Sequence, residues 1–161
     1  MGVIDRAIAD SVPALPRSVV RRIASRYMAG EELDEAVATI RELNREGCVA
    51  TVDVLGESTE SEGDAAETLD QYKRVLDALD EYDLASGISV KLTGLEVNLD
   101  EKLCRKNFEE IVVYAADRGR FMRVDMEDSP YTAITLDLVE EMHERHKSTG
   151  AVIQAYMRPQ P

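Results

Sequence analysis

Four short apolar runs, each set off from the next by a helical pattern, constrain this chain more than any other feature. They are VATVDVL at 49–55, ISVKL at 88–92, FMRVDM at 121–126 and AVIQAY at 151–156. Their length and their β-branched residues read as strand. Between them apolar residues recur at helical spacing. The first such set is Ala65, Leu69, Tyr72, Leu76 and Leu79. The second runs from about Asp100 and holds Leu103, Phe108, Ile111, Val112 and Ala115. The third is Ile134, Leu138 and Met142. Strand starts fall about 30 to 40 residues apart, which is room for a crossover helix each time. The pattern predicts an α/β fold with parallel strands and helices outside them.

The first 46 residues read as a helical segment, and 47–161 as the β/α part. Val19, Ile23, Arg26 and Tyr27 form a short amphipathic element that ends at Gly30. Glu31 to Glu46 predicts a second helix with Leu33, Val37, Ile40 and Leu43 on one side, stopped by Gly47. Pro13 and Pro16 interrupt anything earlier. Thr59 with Glu62 has capping-box spacing. Ser129 before Pro130 gives an N-cap followed by proline at the first helical position.

Charge narrows the function classes. The 161 residues carry 32 Asp and Glu against 19 Lys and Arg, a net charge of -13, which excludes a generally basic nucleic-acid binder. Only five of the basic residues are lysine, a balance that high-salt adaptation and GC-rich coding both produce. No apolar run approaches the roughly 20 residues that span a bilayer. The opening MGVIDRAIAD has no basic region before an apolar one, so it does not read as a secretory signal. Arg6 stands where a myristoylation signal has Ser or Thr. Cys48 and Cys104 have neither metal nor redox spacing and read as small apolar fillers in a reducing, cytoplasmic setting.

Polar residues recur at the C-terminal ends of the predicted strands: Asp53 and Glu57, Lys91, Asp125, Gln154. A (β/α)8 barrel builds its active site there. LGESTES after the first strand is not a GxGxxG phosphate loop, which argues against dinucleotide binding of the Rossmann kind. It argues equally against phosphate-bearing substrates. Four β/α units make a partial (β/α)8 TIM barrel, with no fifth strand before MRPQP. Val52, Val90, Val124 and Ile153 are expected to face the barrel interior. A sheet left open at both edges is expected to self-associate.

Lys91 lies between Val90 and Leu92. A lysine there clamps a substrate carboxylate, forms an ion pair inside the barrel mouth, or sits on an exposed edge. Asp125 leads three carboxylates within four residues; it partners Lys91, accepts a proton or holds a metal. No metal is expected, because His143 and His146 fall on an outer helix and too few ligands converge. Asp128 and Ser129 read as caps. Gln154 interrupts an apolar strand, and its amide suits a heterocyclic cofactor edge or a buried polar network. Tyr72, Tyr114 and Tyr131 read as packing residues.

TVDVLGE, ISVKLTGLE, RVDMEDS and AVIQAY, in this order and spacing, resemble the first half of the proline dehydrogenase family. The resemblance implies a partial FAD-dependent β/α barrel that oxidises L-proline to pyrroline-5-carboxylate. A quinone or other electron acceptor then reoxidises the flavin. It implies that Lys91 binds substrate, Asp125 is catalytic, and Met126 and Gln154 contact FAD. The family's later arginines have no counterpart before Pro161. The expectation is therefore a chain inactive without a C-terminal half. The other reading is a non-catalytic half-barrel remnant that self-associates. The setting implied is cytoplasmic, with peripheral membrane contact through the acceptor.

Overall fold

The computed structural model describes residues 30, 32–55, 62–155 and 157. The element expected at Val19 to Tyr27, the Thr59 cap, and the side chains of Glu57, Glu62 and Arg158 lie outside the described residues. The chain divides into two compact units, Met1–Thr39 and Ile40–Pro161. In the first, helix α1 (Leu33–Arg45) starts with Asp34 and Glu35 in its opening turn, where acidic groups suit the helix dipole.

In the second unit α1 runs on to Arg45, and Gly47 follows at φ +81°, the left-handed stop that glycine adopts without strain. The Asn44 amide works like one more rung of a ladder. It donates to the carbonyls of Cys48 and Ala85 at 2.9 and 3.1 Å and accepts from the Ala85 N–H at 2.8 Å. This ties the end of α1 to the start of the second strand. Cys48 itself is exposed, so it is no core filler; Cys104 is buried, and burial pushes its thiol up to about 12.

Then β1 (Ala50–Asp53), α2 (Glu62–Glu81), β2 (Ser86–Val90), α3 (Glu101–Ala116), β3 (Met122–Val124), α4 (Thr132–Arg145) and β4 (Thr149–Ala151) alternate. One-turn 3₁₀ helices, Leu92–Leu95 and Ser129–Tyr131, follow β2 and precede α4. All pairings are parallel, in the order β1-β2-β3-β4. Sequential order with no reversal is the winding of a β/α barrel wall and not of a doubly wound sheet. α2 packs on α3 and α3 on α4, so the helices form a continuous layer.

The helices bury most of the face their spacing predicts, though Leu43 of α1 is exposed and Leu103 and Ile134 are half-buried. Ala65, Leu69, Tyr72, Leu76 and Leu79 of α2 are buried, as are Phe108, Ile111, Val112 and Ala115 of α3 and Leu138 and Met142 of α4. Asp100 caps α3 by accepting from the N–H groups of Lys102 and Leu103. The expected Ser129 cap differs. Ser129 is the first residue of the 3₁₀ turn, Asp128 precedes it with no side-chain cap bond, and α4 begins only at Thr132. Proline at 130 sets the tight turn first. The His143 Nδ1 lies 2.6 Å from the Thr149 carbonyl and so carries the proton, joining α4 to β4.

The strand faces reverse one expectation. Ile88, Val90, Met122 and Val124 are almost fully buried, on the side covered by helices, and Val52 pairs in register with Ile88. Partners in register share a face. Val52, Val90 and Val124 therefore point to the helices and not to the barrel interior. Ile153 lies past the end of β4 and is exposed. The alternate positions Asp53, Ser89 and Arg123 lie side by side on the other face. An apolar side chain wins burial under a helix, and the other face is left to the polar and charged groups.

Two contacts fix the sheet's lower half. A Cβ on Gly87 would stand 2.2 Å from the Phe121 carbonyl oxygen, the same oxygen that accepts from the Ile88 N–H at 3.0 Å. Arg120 gathers the end of α2. It donates to the carbonyls of Leu79 and Leu84 and to the carboxylate of Asp80. Gly87→Ala is expected to cost about 1–3 kcal/mol, because the obstacle is backbone that already holds a ladder bond. Urea denaturation checks it; an unchanged midpoint would show that the β2–β3 spacing is wider than described.

Candidate active site

The C-terminal ends of β2 and β3 carry interleaved polar residues two apart: Ser89, Lys91 and Thr93 on one, Arg123, Asp125 and Glu127 on the other. Period-two alternation sends Ser89 and Arg123 to the concave side; Lys91 and Asp125 follow the strands directly, and Thr93 lies in the 3₁₀ turn. Both sets are joined across the strands. The Ser89 hydroxyl donates to Asp125 Oδ1 at 2.7 Å. The Thr93 N–H and hydroxyl both donate to the Glu127 carboxylate. Glu127 thereby holds the 3₁₀ turn after β2 against the loop after β3. Behind that turn Glu96 is fully buried and left-handed at φ 75°, and its N–H closes the turn.

Lys91 follows β2 directly, and its ammonium pairs with Asp53 Oδ2 at the end of β1. The Lys91 side chain is one-fifth exposed. The exposed-edge reading of Lys91 falls away. The expected partner Asp125 is instead held by Arg123. Asp53 also faces the Tyr72 hydroxyl, which donates to the Ser89 carbonyl at 2.9 Å with Asp53 Oδ1 3.4 Å away. Tyr72 is thus more than packing: burial, and then the Asp53 carboxylate beside it, push its phenol far above the ordinary value. It stays a protonated donor at any working pH.

Lys91, Asp125, Met126 and Gln154 come together around one cavity of about 350 Å³, with Arg123, Glu127 and Val152. Gln154 is expected inside a strand at 151–156. The structure ends β4 at Ala151, so Gln154 sits on the loop beyond it. Val152 still donates to the Val124 carbonyl, and Gln154 Nε2 donates to the Met126 carbonyl at 3.1 Å. That bond orients the amide, and its Oε1 takes no hydrogen bond among the described residues. Met126 is nearly buried yet borders the cavity. Sequence reasoning from burial missed Ser89 and Arg123. The available signal was their two-residue spacing from Lys91 and Asp125. Among the described residues no group of three His, Cys, Asp or Glu gathers as a metal site, and no helix is long and apolar enough to cross a membrane.

A parallel β/α sheet with charged groups converging at its C-terminal rim defines an enzyme-type barrel wall. The family model described as proline dehydrogenase matches residues 36–161, and the chain belongs to the proline dehydrogenase family. It is 34% identical over 134 residues to proline dehydrogenase 1 of Bacillus subtilis, covering 83% of this chain and 44% of that one. Against the proline dehydrogenase of Deinococcus radiodurans it is 29% identical over 162 residues, covering 96% of this chain and 52% of the relative. The chain therefore spans about half the length of these curated relatives. Among solved structures, proline utilization A from Bdellovibrio bacteriovorus, inactivated by N-propargylglycine, superposes with a TM-score of 0.72 at 24% identity, over 81% of this chain and 17% of that one. That likeness places the fold as part of a β/α barrel.

Tyr72→Phe is expected to cost about 1 kcal/mol at pH 7, the worth of one buried hydrogen bond. It should also change the alkaline limb. The folded phenol holds its proton above the unfolded value of 10.0, so its contribution is complete below pH 10 and declines as pH rises beyond it. The slope is about 1.4 kcal/mol per pH unit for one proton. Urea midpoints from pH 9 to 11.5 should fall more steeply for the wild type than for Tyr72→Phe; parallel curves would refute the buried phenol.

Proposed function

We propose that this chain supplies the first four strands of a flavin-dependent site that oxidises L-proline to pyrroline-5-carboxylate. The observation that carries the reading is the convergence of Lys91, Asp125, Met126 and Gln154 on one cavity in a member of the proline dehydrogenase family. FAD fits the donor set: Gln154 Oε1, which takes no hydrogen bond among the described residues, can accept from a ring N–H, and Met126 offers an apolar surface beside it. When bound, FAD supplies the hydride acceptor, and a quinone or other acceptor reoxidises it.

The chain's own residues have defined tasks in this reading. Lys91, braced by Asp53, presents a positive charge to the substrate carboxylate. Asp125 presents its second oxygen to the ring nitrogen, which gives up one N–H proton before the ring carbon beside it loses hydride and then carries positive charge again as the iminium. The substrate ring is thus held by charge at two points, which fixes the carbon that reacts. The setting proposed is cytoplasmic, with peripheral membrane contact through the electron acceptor. Among the described residues β1 and β4 each pair with one neighbour only, which supports a second reading as a self-associating, non-catalytic half barrel.

A chimera tests the first reading: residues 36–161 replace the matching segment of the Bacillus subtilis relative. Anaerobic bleaching of bound FAD by L-proline is the readout. Bleaching is expected, with a loss of about 100-fold or more in Lys91→Ala and Asp125→Ala. A folded, flavin-loaded chimera that proline does not bleach would refute the function. Full activity in both variants would refute the assigned roles.

A further inference from the structure

Asp125 is anchored on one oxygen and open on the other. Oδ1 accepts from the Ser89 hydroxyl at 2.7 Å and from Arg123 Nε at 3.0 Å. Oδ2 takes no hydrogen bond among the described residues, and the side chain borders the cavity. Arg123 is fastened in turn. Its Nε and Nη2 both donate to Ser89 Oγ, at 3.1 and 2.9 Å. Ser89 is buried and its Oγ is the hub: it accepts twice from the guanidinium and gives its only proton to the carboxylate.

We infer that Arg123 and Ser89 are positioning residues for Asp125: together they lock one carboxylate oxygen so that the other faces the cavity. This deepens the reading of the site given above and rests on it for the meaning of the open oxygen. Three physical points carry it. The register sets Ser89 beside Arg123, so the hydroxyl and guanidinium are brought together by strand pairing itself. A side chain on the loop just past β3 would otherwise sample several rotamers, and two hydrogen bonds to one oxygen select one. The fork of arginine spans hydroxyl and carboxylate simultaneously, a geometry that a lysine ammonium does not reproduce.

Only this arrangement separates the two oppositely charged pairs at the rim. Lys91 is matched to Asp53 and Arg123 to Asp125, on adjacent strands. Without Arg123, the Lys91 ammonium becomes the nearest cation on the neighbouring strand, and Asp125 is free to turn toward it. That turn would take its open oxygen away from the cavity.

The test uses the chain itself, labelled with ¹³C and ¹⁵N. Three-bond couplings from the backbone nitrogen and carbonyl carbon to Asp125 Cγ report its χ1 rotamer. A single rotamer is expected in the wild type. Averaged couplings are expected in Arg123→Met and in Ser89→Ala, and Arg123→Lys should restore the charge but not the single rotamer. Circular dichroism confirms that each variant is folded, and Ser89→Thr, which keeps the hydroxyl, should keep the rotamer. A single unchanged rotamer in both Arg123→Met and Ser89→Ala would overturn the inference. In the chimera, Arg123→Met should lower kcat about 10- to 100-fold with KM within about twofold. Averaged couplings with unchanged kcat would overturn the positioning role while leaving the proposed function standing. If the wild-type chimera does not bleach at all, that function fails, and the couplings alone decide the inference.

Discussion

Everything at this rim depends on the two-residue alternation of parallel strands. The same run that buries Ile88 and Val90 under the helices must present Ser89 and Lys91 to the other side. Met122 and Val124 do the same for Arg123 and Asp125. A one-residue slip would send four polar side chains under the helices and four apolar ones to the other face. Register is therefore held by the core, and the charged rim inherits its geometry from apolar packing.

That dependence explains what was legible in the sequence. Lys91 and Asp125 stand out because ionisable groups beside valines demand a reason. Gln154 stands out for the same cause, yet its placement shifts: the amide bonds the Met126 carbonyl beyond the end of β4. Ser89 and Arg123 escape notice. Serine is small enough to vanish in a strand, and an arginine among FMRVDM has no visible partner until β2 lies beside it. Met126 is a core residue by any local criterion, and only the family resemblance singles it out. The helix faces of α2 and α3 were readable because their spacing is regular and their neighbours are apolar throughout.

The misplaced valines teach a more specific lesson. Strand apolar residues in a barrel have two interiors to choose from, the helix layer and the central space. Composition does not distinguish them. The polar partners at odd-numbered positions 89, 91, 123 and 125 do, because those residues need water or one another. Tyr72 belongs to the same account: a helical residue at a core position, it reaches the rim only through its hydroxyl.

Arg120 has a consequence for how the molecule assembles. Helix α2 has no basic residue in its last turn, and the cation at its end is Arg120, which arrives from the far side of α3. Its guanidinium adds a second donor to the carbonyls of Leu79 and Leu84, which already accept from the N–H groups of Leu84 and Ser86. The end of α2 is thus reinforced by a residue about forty positions later. The smallest cooperative piece of this wall is then not one strand with its helix but that pair plus the threshold of the next strand. The unit of α2 is stitched by this overlap to the threshold of β3.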